Sequence, residues 1–165
     1  MPEQSSPRKF VSDFREGELL YDHTDPESGL RLLVTRGGFC FCAYVGVEAD
    51  HTLAGLDDFS FPCHWGVNFT TWGKPGTSWP EGWFWWGWDY GHAFDARDFL
   101  ADLPEDTPES LRELLRQTDS RRMEPGPGVP RVKNWTLDAV ILDGLDVVME
   151  LREALQASNE FSTCC

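Results

Sequence analysis

The chain has 165 residues, of which 28 are acidic and 14 basic, for a formal net charge of −14. A field of this sign repels the phosphate backbone of nucleic acids, so we expect no general DNA or RNA binding. No apolar run approaches membrane-spanning length and the first residues lack a hydrophobic signal core, so we expect a cytoplasmic protein with no membrane partner.

The first two-thirds of the chain predicts an antiparallel sheet. Residues 1–14 are polar and are expected to be a disordered lead-in, with one domain over 15–160. Apolar and β-branched runs predict strands at about residues 18–21, 30–35, 39–47, 65–72 and 84–90, so that the sheet spans about 18–90. Gly37 and Gly38 supply the tight turn of a hairpin between the second and third strands. The last strand is apolar on both faces, which indicates a central position in the sheet.

Helices are predicted to follow the sheet. Thr107 as an N-cap, followed by Pro108 and an acid, predicts a helix over about 107–120. Apolar residues at spacings of three and four predict an amphipathic helix over about 136–157. The Pro/Gly-rich stretch 124–130 cannot be regular helix and is expected to be a loop. The sequence therefore predicts a single α+β domain, an antiparallel sheet packed by C-terminal helices.

The segment WFWWGWDYGHAFD (83–95) places a large aromatic area beside ionisable groups. Asp89, His92 and Asp95 are three residues apart and can converge if the chain turns tightly after the strand. His64 is the candidate for a fourth group. Histidine and aspartate together suit zinc or manganese, and a divalent metal held by these four residues would acidify a bound water. Without metal, the same residues can hold a polar ligand or act in acid–base catalysis.

Three tryptophans are candidates for stacking on a planar ligand such as a nucleobase. Trp72 and Trp79 flank a Gly/Pro loop, where a large ring is poorly buried, and Trp86 lies in the aromatic strand. Core packing is the favoured explanation of these residues, and the sequence leaves stacking open as the alternative. Thr70 contributes a hydroxyl near the predicted site, and Arg97 can bind an anion there.

Several separated motifs resemble those of one family. The runs Cys42–Val47, His64–Thr70 and Trp85–Asp95, with His51 and Gly55 between the first two, resemble small phage and prophage proteins. That family's pattern reads GYVGV, HP, HGGLTF and WWFGFDCAHAGD. By position, its motif residues fall on His64, Gly66, Thr70, Trp86, Asp89, His92 and Asp95. The chain departs from the pattern at Thr52 where the family has proline, at Trp65-Gly66 where it has two glycines, and at Tyr90 where it has cysteine. The Trp-rich insertion and the Pro/Gly loop are not part of the family's pattern.

The resemblance implies a phage-type accessory protein in a bacterial host and a shared polar site, without a reaction. The first hypothesis is a protein that binds a small polar, nucleotide-derived ligand in a Trp-lined pocket and sequesters a host defence signal. The second is a metal-dependent hydrolase acting on a phosphodiester or similar substrate. The third is an acidic inhibitor that binds a host protein. A homo-oligomer is compatible with all three.

Overall fold

The computed structural model describes residues 17–38, 40–96, 107–122 and 133–162. Five strands form one sheet: β1 (Leu19–Thr24), β2 (Arg31–Arg36), β3 (Phe41–Glu48), β4 (Phe69–Trp72) and β5 (Trp83–Asp89). They lie in the order β1-β2-β3-β5-β4, and all neighbours are antiparallel. Two helices follow, α1 (Glu109–Arg122) and α2 (Leu137–Ser162). The α+β fold is confirmed, and α2 packs on β2 and β3.

The strand registers confirm the predicted hairpin and the central position of β5. Strands β2 and β3 pair from Arg31 opposite Gly46 to Arg36 opposite Phe41. β5 lies between β3 and β4, and it is apolar on both faces because one face packs in the main core and the other in a second cluster. The strand predicted over 65–72 is wrong at its start: β4 begins at Phe69, because residues 63–66 form a turn instead.

One face of the sheet carries the main core, and α2 covers it. Alternate residues of β5, including Trp86 and Trp88, point to this side and are almost fully buried. The helix approaches closely at Gly144, where an added Cβ would lie 2.9 Å from a methyl carbon of Leu32. The absence of a side chain at Gly144 therefore sets the distance between α2 and β2.

The opposite face carries a smaller cluster of Leu33, Tyr44 and Trp85. Trp85 is fully buried there, and its indole lies across the neighbouring strand at Gly46. A Cβ at Gly46 would lie 2.5 Å from the Trp85 ring, so this glycine makes room for the indole. The tryptophans of β5 are thus divided between two cores, as strand alternation requires.

Two short parallel strands, β6 (Asp95–Ala96) and β7 (Lys133–Asn134), join the segment after β5 to the start of α2. The Lys133 N–H donates to the Phe94 carbonyl at 2.8 Å, and the Trp135 N–H donates to the Ala96 carbonyl at 2.8 Å. This pairing fixes the segment that contains two of the predicted site residues.

The helices differ slightly from their predicted bounds. α1 covers Glu109–Arg122 rather than 107–120, and α2 extends to Ser162 rather than ending near 157. The lead-in over 1–14 and the loop over 124–130 lie outside the described residues. Neither helix in the described ranges is both long enough and apolar enough to cross a membrane.

Candidate functional site

Two tight turns bring the ionisable side chains together. In the first, the Gly66 N–H donates to the Cys63 carbonyl at 3.0 Å, which places His64 inside the turn. In the second, directly after β5, the Asp95 N–H donates to the His92 carbonyl at 3.0 Å. The chain therefore turns tightly where convergence of the predicted site residues requires it.

Asp95 is the buried centre of the site, with a side chain only 4% exposed. Its carboxylate lies 2.8 and 3.0 Å from Nε2 of His64 and accepts hydrogen bonds from Nε1 of Trp135 (2.8 Å) and the His92 N–H (3.0 Å). Burial by itself would raise the pKa of Asp95, but these hydrogen bonds outweigh it and hold the pKa below its ordinary value. Asp95 is thus a buried anion at neutral pH.

The His64 ring is held between two aromatic side chains. It stacks on Tyr90, with centroids 5.0 Å apart at an angle of 10°, and meets Trp135 edge-on at 4.9 Å. The Tyr90 hydroxyl donates to Asp143 of α2 at 2.8 Å and accepts from Nε1 of Trp88 at 2.9 Å. Burial raises the pKa of Tyr90, so its hydroxyl stays protonated and the ring stays fixed. These contacts set the orientation of His64.

Nδ1 of His92 is buried and has no hydrogen-bond partner. It lies 3.7 Å from Oδ2 of Asp95 and 3.6 Å from Oδ1 of Asp89, too far for a direct hydrogen bond. Ligand-type atoms of His64, His92 and Asp95 all lie within 4.8 Å of one another. The ligands of a tetrahedral zinc ion, each about 2.0–2.1 Å from the metal, are about 3.3 Å apart. The three side chains are therefore spaced to surround a small cation.

Asp89 lies at the edge of this cluster. Its Oδ1 accepts from the Gly91 N–H at 2.9 Å, and its Oδ2 accepts from Nδ2 of Asn68 at 2.7 Å. The side chain is about one-third exposed. Of the four predicted metal ligands, the structure thus brings His64, His92 and Asp95 together and holds Asp89 next to them by separate contacts.

The predicted tryptophans do not join the cluster. Trp86 is buried in the main core, where Nε1 donates to the Leu56 carbonyl at 2.9 Å. Trp72 is 46% exposed on the edge strand, opposite Phe84. Phe84 lies five residues before Asp89 on β5, a separation of about 17 Å at the rise of a strand. Neither indole is part of the cluster of His64, His92 and Asp95.

Trp79 and Thr70 also have other surroundings. Trp79 packs on Phe69 and Tyr44, with centroids 5.2 and 5.6 Å away, on the face of the sheet opposite the core that contains Tyr90. There it lines an open groove of about 580 Å³ formed with residues 17–19 and 76–80. The Thr70 hydroxyl donates to Asp57 at 2.8 Å. Arg97 lies outside the described residues.

Four residues near the cluster were missed by the sequence reasoning. Trp65 stacks on His92, and Phe94 immediately precedes Asp95 in the second turn. Trp135 contacts both His64 and Asp95, and the Nζ of Lys133 lies 3.5 Å from the centre of its ring. Lys133 stands with Arg131 in a short basic segment directly after the Pro/Gly-rich stretch 124–130, which is a sequence signal for anion binding.

Comparison with known proteins assigns no family. No protein-family model, curated protein or solved structure matches the chain. The resemblance to phage proteins therefore stays a prediction, and the geometry of the site carries the functional argument.

Proposed function

We propose that this chain is a metal-dependent hydrolase whose cation, zinc or a close chemical equivalent, is bound by His64, His92 and Asp95. The observation that carries the proposal is the buried, unpaired Nδ1 of His92, 3.7 Å from the carboxylate that also contacts His64. A buried polar atom without a partner is costly, and a cation between the three residues would remove that cost.

The donor set favours this class of ion. Two imidazole nitrogens and one carboxylate oxygen suit zinc and related divalent ions, whereas calcium and magnesium prefer oxygen ligands alone. Three protein ligands leave the fourth tetrahedral position for water, as in catalytic zinc sites. Trp135 and the His92 N–H hold Asp95 in place, and Tyr90 orients His64. Such supporting contacts are typical around metal ligands.

Two further residues have roles in this proposal. A cation would lower the pKa of its bound water towards neutrality, and Asp89 is the nearby carboxylate that accepts the water's proton. Its Oδ1 lies 3.6 Å from Nδ1 of His92, beside the cluster that would hold the cation. Lys133, over the Trp135 ring, contributes positive charge for an anionic substrate such as a phosphodiester.

The second candidate is a metal-free protein that binds a small polar ligand, the first hypothesis from the sequence. It is supported by Trp65, which lies over His92 with a centroid separation of 5.1 Å and an interplanar angle of 9°. In this case Nδ1 of His92 would bond to a polar atom of the ligand rather than to a cation. The two candidates use the same residues and differ in bound metal and in turnover.

The test is elemental analysis of the purified chain, followed by assay with bis(4-nitrophenyl) phosphate, a general phosphodiester probe. The proposal predicts one metal ion per chain and turnover that a chelator removes and added zinc or manganese restores. His92→Ala should lose both metal and turnover, while His23→Ala, a histidine on β1 outside the cluster, should keep both. Metal-free protein that carries a small organic molecule in native mass spectrometry would support the binding protein instead.

A further inference from the structure

Two large aromatic residues occupy backbone conformations that normally require glycine. Trp65 has φ of 58° and Phe94 has φ of 73°, and they are the non-glycine residues with positive φ in the described ranges. Each is the third residue of one of the two turns that build the cluster. A positive φ at this turn position strongly favours glycine, because a Cβ is strained there.

Both residues are also exposed. Trp65 is 64% exposed and Phe94 is 50% exposed. Each residue thus combines backbone strain with a large apolar side chain in water, which is unfavourable on both counts. Backbone strain of this kind occurs most often at functional sites, and exposed aromatic side chains often mark binding surfaces. The two penalties coincide at the two turns that present His64, His92 and Asp95.

The local contacts hold the Trp65 ring and the Phe94 backbone in place. One side of the Trp65 indole covers the His92 imidazole, so the other side faces outward. The Phe94 carbonyl accepts the Lys133 N–H at 2.8 Å, which fixes its turn against β7. The Trp65 ring and the backbone of Phe94 are therefore positioned beside the cluster before any ligand binds.

We infer that Trp65 and Phe94 form an aromatic rim that binds the base of a small nucleotide, with its phosphate directed to the cation and Lys133. This inference rests on the proposed function and names the substrate class of the same site. Stacking on an aromatic side chain suits any nucleobase, and the cation and ammonium group suit phosphate. The net charge of −14 disfavours a long polynucleotide, so the substrate is a mononucleotide or short nucleotide.

The experiment compares four probes by calorimetry on zinc-loaded protein: AMP, adenosine, ribose 5-phosphate and inorganic phosphate. The rim predicts that AMP binds more tightly than ribose 5-phosphate, because only AMP has a base. Trp65→Ala should weaken AMP binding by roughly 5- to 150-fold, the range for loss of one base–aromatic stack, and should not change ribose 5-phosphate binding. Phe94→Ala should act in the same direction. Trp72→Ala, which removes an exposed tryptophan about 17 Å along the sheet from Asp89, should leave all four affinities unchanged.

The outcomes separate this inference from the proposed function. Bound zinc together with equal affinity for AMP and ribose 5-phosphate would contradict base binding by the aromatic rim and would support the metal site. Metal-free protein that binds AMP in a Trp65-dependent way would contradict the metal site and would support base binding by the aromatic rim. Unchanged AMP affinity in both Trp65→Ala and Phe94→Ala, with circular dichroism confirming the fold, would also overturn the rim.

Discussion

Nε1 of Trp135 donates a 2.8 Å hydrogen bond to Oδ1 of Asp95, across 40 positions of sequence. Both residues lie beside the short parallel strands, Asp95 within β6 and Trp135 just after β7. The bond joins the turn that carries His92 to the start of α2, and it leaves Asp95 fixed and ionised. The indole therefore stabilises the fold and orients a proposed metal ligand at the same time.

Trp135→Phe tests this dual role. The variant keeps an aromatic ring against His64 but leaves the buried Asp95 without one charge-assisted hydrogen bond. We expect the free energy of unfolding to fall by about 1–3 kcal/mol and zinc affinity to fall by roughly 10- to 100-fold. Urea unfolding and zinc titration measure the two effects. Lost stability with unchanged zinc affinity would show that Trp135 does not position the ligand.

His92 and Asp89 should have separable effects. Asp89→Asn keeps the shape of a side chain that is outside the three-residue cluster, so zinc should still bind. Turnover should fall by roughly 10²- to 10⁴-fold, because the proposed proton acceptor is gone. His92→Ala should instead lose the metal itself. The measurement is zinc content beside kcat for each variant. If Asp89→Asn loses its zinc as completely as His92→Ala, Asp89 is a ligand and not the base.

The strain at the aromatic rim gives a prediction about stability. Trp65→Gly and Trp65→Ala both remove the indole and differ only by a Cβ in the left-handed conformation. The glycine variant should therefore be more stable than the alanine variant by about 1 kcal/mol. At positions with negative φ the alanine variant is normally the more stable, since glycine loses more backbone entropy on folding. Thermal unfolding of the pair measures the difference, and a more stable alanine variant would contradict the assigned strain.

Much of the fold follows from local sequence patterns. Apolar runs and the Gly37-Gly38 turn predict β2, β3 and β5, and the three-four spacing predicts α2. Those patterns are local, so one sequence suffices to read them. The pairing of β6 with β7 could not be predicted, because each strand has two residues and the partners are distant in the chain.

The site was predictable in part for the same reason. The spacing of Asp89, His92 and Asp95 predicts their convergence, provided that the chain turns, and the turn is present. Trp65 and Phe94 could not be predicted, since turn preferences place glycine where they lie. The burial of Trp86 in the core follows from strand alternation, since Trp86 and Trp88 lie on the same face of β5.

The decrease in the free energy of unfolding at acidic pH should depend in part on Asp22. Hydrogen bonds from Arg31 at 2.7 and 2.8 Å lower the pKa of Asp22 below its ordinary value, against the opposing effect of burial. A carboxyl whose pKa is lower in the folded than in the unfolded state stabilises the fold at pH values above its unfolded-state pKa of about 3.9. This stabilisation is lost as the pH falls through the folded-state pKa.

Asp22→Asn should therefore cost about 0.2–1 kcal/mol at pH 7, the range for a partly exposed ion pair, and less at pH 2. Urea unfolding at the two pH values measures the difference. Asp50→Asn, in the exposed turn after β3, is the matched control. An equal cost of Asp22→Asn at both pH values would show that its charge does not contribute.

The most direct test of the account is the zinc stoichiometry of the purified chain after dialysis against a weak chelator. We expect one zinc per chain, retained when Cys40 and Cys42 are both replaced by serine and lost in His92→Ala. The cysteine variant matters because these thiols are the other zinc-type ligands near Asp89. No bound zinc in the wild-type chain, or zinc that survives His92→Ala, would contradict the assignment of His64, His92 and Asp95 as a metal centre.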